Sequence, residues 1–369
     1  MTASTALLVT CFALGQQGLI AFITGPTQEE YRLSVLDLGE ERAVLPLGQG
    51  KWDAFPRWSP DGRRIAYQSR REDGTGIRIA EPLQERDEGL QHQFPLNARP
   101  AWSPDGAKLA YTAGDNEDPL QRIVVQSLEN GLETIWGGEQ RGFIAPVWLA
   151  TTDLMKAMNP EDQDTAEALG LLQMKEEAEK EGVIAVVGVS GAPPKVTTDL
   201  FAVTRSMAVP LLALLSPEGG RYVKYQVTPD HKARQIAYES NEGGDREVFV
   251  LGRRGIINVS NHHAADWNPV WSPGDDWMAF ESFRGGRRGI YRLLASTGNA
   301  APIFAGEDFD CWGPDWSPDG EWLVCVSDMT GTPQLYIVRP DGSELRQITS
   351  GEAPALAPAW QPEAEEPRE

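Results

Sequence analysis

Cysteine and histidine are both scarce in this 369-residue chain, with three of the first and four of the second. Three cysteines close one disulfide at most, so bridges do not hold the fold together. No cysteine pair has zinc-site spacing, and no glycine-rich phosphate loop opens a helix. Basic residues are also short: 33 Lys and Arg stand against 54 Asp and Glu, a net charge of −21. That balance excludes nucleic acid and anionic membrane surfaces as partners, because phosphate binding needs a basic footprint. The paired arginines Arg63/Arg64, Arg70/Arg71, Arg253/Arg254 and Arg287/Arg288 fall in turns and read as solvated surface. The apolar run Ala6–Leu14 is too short to cross a bilayer as a helix, so stable membrane insertion is not expected.

The same run, followed by Ala13-Leu14-Gly15, reads as a signal segment over residues 1–15, although no Lys or Arg precedes it. Leu8-Val9-Thr10-Cys11 resembles a lipoprotein box, with Thr before the cysteine arguing against one. A periplasmic or extracellular protein is expected, with the cytoplasm as the alternative. Cys311 and Cys325 flank one hairpin almost symmetrically and are expected to face each other. They form either a disulfide or two small buried hydrophobes.

What the chain does have is a repeated turn. Trp58-Ser-Pro-Asp-Gly62 leads into Ile65-Ala66-Tyr67, Trp102-Ser-Pro-Asp-Gly106 into Leu109-Ala110-Tyr111, and Trp316-Ser-Pro-Asp-Gly320 into Leu323-Val324-Cys325. A looser copy at Trp271-Ser-Pro-Gly274 precedes Met278-Ala279-Phe280. Pro presets φ at the second turn position, Asp bonds its own backbone, and Gly takes the left-handed place that closes a hairpin.

Seven apolar strand cores follow this pattern, adding Ile20-Ala21-Phe22, Ile184-Ala185-Val186 and Ile236-Ala237-Tyr238 to those above. Each is followed by a second apolar strand, as at Leu33–Leu38 and Leu335–Val338, and in places by a weaker third. Four short strands per unit of about 44 residues signals a propeller blade. The expected fold is therefore all-β, a β-propeller over residues 16–362 with seven four-stranded blades, six being the alternative. The markers Trp58, Trp102 and Trp148, and then Trp271, Trp316 and Trp360, recur at steps of 44 to 46 residues. Trp360 is left over at the end and the first unit lacks a leading Trp strand, so the last strand is expected to complete the first blade and close the ring. Val227 of Val-Thr-Pro-Asp reads as the equivalent that follows Trp148. The long step between them holds a helical insertion at about 150–182. Asn159 caps it, Pro160 opens it, Ala168, Leu171, Met174 and Ala178 form its apolar stripe, and Gly182 stops it. Residues 363–369 read as an acidic disordered tail.

These hairpins resemble the WD40-like Pro-Asp repeats of the TolB-like propeller family, also found in the propeller domains of prolyl oligopeptidase-type and dipeptidyl peptidase IV-type enzymes. The resemblance covers residues 18–362 and weakens in the blades at Trp148 and Val227. It implies the fold and says little of function, because the motif's residues pack and turn the chain. TolB-like proteins place six blades behind an N-terminal α/β domain, which has no counterpart here, so a role in envelope complexes does not carry over.

Chemistry is sparse. The peptidases of this type carry a Gly-x-Ser-x-Gly elbow in an α/β-hydrolase domain. Gly188-Val189-Ser190-Gly191 lacks the second Gly at the required spacing. His262 and His263 form the one His-rich place and are weak metal candidates, since neighbouring histidines are expected to point apart. Loops entering the innermost strands carry Trp52-Asp53, Asp266-Trp267 and Asp310-Cys311-Trp312. In a propeller such loops converge on the channel mouth, where carboxylates beside aromatics suit a protein or peptide partner, with calcium as the cation they would accept. The expected function is a monomeric, non-catalytic binding module with no catalytic residues. The alternatives are a hydrolase or sugar lyase with a metal-assisted channel site built from Asp53, Asp266, Asp310 and His262 or His263, and a structural assembly subunit.

Overall fold

The computed structural model describes residues 18–39, 44–49, 51–72, 74–116, 121–138, 142–150, 170–192, 195–211, 222–252 and 255–363. The signal segment with Cys11, the caps Asn159 and Pro160, Arg253 and Arg254, and the tail beyond Glu363 lie outside them. The described residues are all-β with one α-helix, and they divide into two compact units.

The first unit comprises residues 18–90, 272–294 and 300–363. One sheet runs in the order Ala355–Trp360, Leu19–Thr24, Arg32–Asp37, Val44–Pro46. The last described strand thus lies antiparallel to the first described one, with Ile20 opposite Trp360 and Thr24 opposite Ala355, as the unpaired Trp360 strand implies. Alternation gives this sheet two buried faces. Ile20, Phe22, Leu36 and Leu38 pack with Trp322, Val324 and Ile337, while Ala21, Ile23, Leu33 and Val35 pack with Ile65, Tyr67 and Ala80. The neighbouring strands of the unit are Lys51–Trp58, Ile65–Arg71, Gly74–Glu81 and Arg86–Gly89; Trp277–Ser282, Gly289–Leu294 and Ala300–Phe304; and Cys311–Trp316, Leu323–Ser327, Gln334–Val338 and Arg346–Gln347.

The second unit comprises residues 91–271 and 295–299. It contains the sequential strands Leu96–Trp102 to Glu133–Trp136, Phe143–Leu149 to Ala208–Pro210, and Lys224–Pro229 to Gly255–Asn258, followed by Asp266–Trp271. Ile184 and Val186 face Ile123, Val125 and Trp136, whereas Ala185 and Val187 face Ile236, Tyr238 and Leu251. The helix Leu171–Glu181 lays Met174 and Ala178 on the second of these clusters. It ends at Gly182, where φ is 96° and the N–H bonds Ala178 O at 3.0 Å. A Cβ there would fall 2.7 Å from the Trp148 ring, so only glycine fits.

The turns have the expected chemistry. In Ser59, Ser103 and Ser317 the hydroxyl donates to the Asp two residues on, at 2.5 Å in each case, and accepts the N–H five residues on. Gly62, Gly106 and Gly320 sit at φ 66°, 67° and 70°. The degraded copy is displaced from the expected Val227. Pro229 pairs with Ile236 as Trp58 pairs with Ile65, so Asp230 stands where Ser59 does. Its Oδ1 accepts Arg234 N–H at 2.7 Å and Gln235 N–H at 3.1 Å, and Ala233 takes the glycine place at φ 47°. Thr-Pro-Asp looks like Ser-Pro-Asp, but register assigns the turn to Pro229-Asp230-His231-Lys232-Ala233.

Cys311 and Cys325 are free and buried. The register sets Cys311 opposite Ser327 and Cys325 opposite Tyr336, so the expected face-to-face pairing does not occur. They are two small buried hydrophobes.

Candidate functional site

Each strand with a marker tryptophan at or next to its end carries a distortion three residues before that tryptophan. Phe55, Arg99, Ala145, Asn268, Gly313 and Ala357 all have φ between 50° and 62°, and a proline follows every one. Register slips fall at the same place, between Ala98 and Ala101 or between Ile144 and Val147, for example. These are β-bulges, and the proline suits them because the bulge leaves its position out of the ladder. The signal is legible in the sequence as Pro-x-Trp ahead of the turn.

The bulge decides where the residue five before each tryptophan points. Asp53, Asn97, Phe143, Asp266, Cys311 and Ala355 hold that place, and all are 2 % exposed or less. Asp53 and Asp266 therefore lie inside strands, within the sheets, and not in entering loops. Asp53 Oδ2 accepts Leu33 N–H at 2.9 Å and Oδ1 accepts the Ser69 hydroxyl at 2.6 Å. Burial pushes its carboxyl above the usual carboxylate range, against the pull of those two hydrogen bonds. Asp310 precedes its strand; it accepts Arg287 Nη2 at 2.8 Å and Arg288 N–H at 3.0 Å.

The tryptophans of the sequence-derived set are half-buried, and arginines cover two of them. In the second unit Arg246 lies 4.0 Å from the Tyr225 ring centroid and 5.4 Å from that of Trp267. Its Nε donates to the buried Glu239 at 2.7 Å, and Glu239 Oε1 accepts Asn268 N–H, at the bulge, at 2.7 Å. In the first unit Arg288 lies 5.5 Å from Trp312, its Nε donates to the buried Glu281 at 2.5 Å, and Glu281 Oε1 accepts Gly313 N–H at 2.8 Å. Glu239 and Glu281 are thus struts that hold a bulge and orient an arginine. Arg287 and Arg288 are engaged here, where solvated surface was expected. His262 and His263 lie against each other with ring centroids 4.1 Å apart and planes tilted by 31°, contrary to the expected divergence, and His262 Nδ1 accepts Ala264 N–H at 3.1 Å.

Trp52 differs from the rest. Its own φ is 55°, a position bulky side chains rarely adopt, and the ladder slips a second time between Lys51 and Ala54. The strained residue lines a cavity of about 390 Å³ in the first unit, together with Gln28, Glu29, Arg70 and Thr75. Gln28 and Glu29 lie on the 3-10 turn Gln28–Glu30, and Arg70 and Thr75 pair across the hairpin of Ile65–Arg71 and Gly74–Glu81. Its lining joins an aromatic residue to two polar residues and two of opposite charge, over a surface more apolar than polar, as is usual for ligand pockets.

No family model matches the chain. The TolB homolog of Chlorobaculum tepidum is 24 % identical over 119 residues, which is 32 % of this chain and 27 % of that protein's length. Among solved structures, TolB from Acinetobacter baumannii superposes with a TM-score of 0.56 at 17 % identity, covering 94 % of this chain and 67 % of its own. The β-propeller domain of the Trilobed protease from Pyrococcus furiosus gives 0.62 at 14 % identity, with 91 % and 96 % covered. An oligogalacturonate lyase in complex with manganese gives 0.61 at 12 % identity, with 87 % and 85 % covered. The fold is that of a β-propeller. Within that class, the chain is similar to a TolB homolog over 119 residues and to TolB in fold.

Proposed function

We propose that this chain is a seven-bladed, ring-closed propeller acting as a monomeric, non-catalytic binding module for a protein or peptide segment, in the periplasm or outside the cell. The carrying observation is the Trp52 cavity. A strained aromatic, exposed charged groups of both signs and polar side chains line it, and its volume falls in the range of small-ligand pockets, on the order of 300–1,000 Å³. The TolB-like fold supports a binding role. The lyase among the structural relatives keeps an enzyme in view, but Asp53, a candidate for such a site, is committed to Leu33 and Ser69.

The test is selection of a displayed random-peptide library on the intact protein, with affinities of the enriched peptides measured for the parent and for Trp52→Ala. Enriched peptides should bind the variant at least about tenfold more weakly, a loss of about 1.4 kcal/mol. An empty selection would end the binding-module reading, and unchanged binding by the variant would move the site away from Trp52.

A further inference from the structure

Glu29 and Arg70 line the same cavity, both are exposed, and neither forms an ion pair or hydrogen bond among the described residues. Arg78, Arg246, Arg287, Arg288, Arg339 and Arg346 are each held by a carboxylate. Glu30, beside Glu29, is engaged by the Thr27 hydroxyl at 2.9 Å, which leaves Glu29 as the uncommitted acid of its turn. Two opposite charges that line one pocket without joining each other offer two separate subsites, with Trp52 lining the same pocket.

Resting on the proposed binding role, we infer that the cavity takes a peptide position at which a basic side chain stands next to a carboxylate. The cation lies against the Trp52 ring and pairs with Glu29, since an indole face and a carboxylate both attract an ammonium or guanidinium group. The carboxylate pairs with Arg70, whose fork of donors matches two oxygens. Lys51 lies opposite Arg70 in the strand register and adds positive charge at that end. The net charge of −21 draws a basic segment toward the protein before contact. Two ligands share this chemistry: a C-terminal Lys or Arg with its free α-carboxylate, and an internal Lys-Asp pair.

The experiment uses the intact protein and four fluorescein-labelled hexapeptides of a Gly-Ser backbone. One ends in Lys with a free carboxylate, one in Lys amide and one in norleucine with a free carboxylate, while the fourth carries an internal Lys-Asp pair and an amidated end. Affinities come from fluorescence anisotropy for the parent, Glu29→Gln and Arg70→Gln, both at exposed positions where folding is not at stake. The Lys peptide with a free carboxylate should bind the parent at least about tenfold more tightly than its norleucine and amide counterparts. Glu29→Gln should erase the preference for Lys over norleucine, and Arg70→Gln the preference for carboxylate over amide. Equal binding of the internal pair and the C-terminal Lys assigns the site to either source, and weaker binding of the internal pair assigns it to chain ends. No binding of any of the four, or preferences unchanged in both variants, overturns the inference. If the peptide library yields binders without a basic residue, the binding-module reading stands while this one falls.

Discussion

The Trp58 indole N–H donates to the carbonyl of Ala359 at 2.9 Å, across 301 residues of chain. The same bond recurs in the second unit, from Trp148 to Ala101 O at 3.1 Å and from Trp271 to Thr228 O at 2.9 Å. In each case the tryptophan at or next to the end of one strand reaches the carbonyl of the last residue but one of another. The marker residue is therefore a stitch between sheets as well as the head of a turn. Trp58→Phe should cost about 1–3 kcal/mol, because the buried Ala359 carbonyl loses its donor. Deleting residues 355–369 should do far more, leaving Leu19–Thr24 as an open edge and abolishing a single cooperative transition. Urea unfolding followed by tryptophan fluorescence reads both.

Bulge strain gives a prediction of opposite sign at two equivalent places. Ala357 is exposed at φ 50°, so Ala357→Gly should stabilise by about 1 kcal/mol. Gly313, at φ 62° with 3.7 Å of clearance to Pro358, should lose a similar amount as Gly313→Ala, from conformation and not from collision. Thermal midpoints of the two variants should move apart.

Glu239 and Glu281 each hold an arginine and a bulge N–H, and both are fully buried. Removing one carboxylate strands the partner, so Glu281→Ala should destabilise by about 3–5 kcal/mol. A double-mutant cycle with Arg288→Ala should recover part of that loss, as the two no longer act independently.

Two carboxylates should shape the acid side of the stability profile in opposite directions. At Asp105 burial acts upward, but the Ser103 hydroxyl and Ala107 N–H outweigh it, and the carboxyl sits below the usual range. Its stabilisation is present above the ordinary carboxylate value and is lost as pH falls through the lowered one. Asp53 is raised by burial, so its contribution is present below the ordinary value and declines as pH rises through the raised one. Asp105→Asn should flatten the acid loss of stability. Asp53→Asn, with Asn97 in the matching place of the second unit as precedent, should remove the decline above it. Urea midpoints from about pH 3 to about pH 7 test both.

Burial pushes the Cys311 thiol up to about 12 and raises Cys325 as well. In a Cys11→Ser background the folded protein should show no reaction with a thiol reagent at mildly alkaline pH, and two equivalents should appear on adding denaturant. Reaction in the folded state would contradict the packing of the Trp316 hairpin.

Local chemistry was enough for the sequence to specify the turns, the strand cores and the pairing of the last strand with the first. Ser-Pro-Asp-Gly closes a hairpin wherever it occurs, and an unmatched Trp360 strand beside an incomplete first sheet has one evident partner. The helix around Met174 and Ala178 and its stop at Gly182 were legible for the same reason. Only the tertiary structure decided which side each residue faces. A bulge three residues before each of the six marker tryptophans inserts an extra residue and reverses the alternation, which turned Asp53 and Asp266 into the sheets and left Trp52 at a cavity. It also decided which charges were spoken for. Glu239, Glu281, Arg246 and Arg288 are far apart from their bulge and ring partners in sequence and meet only across neighbouring strands, whereas Glu29 and Arg70 reach the same cavity without meeting each other.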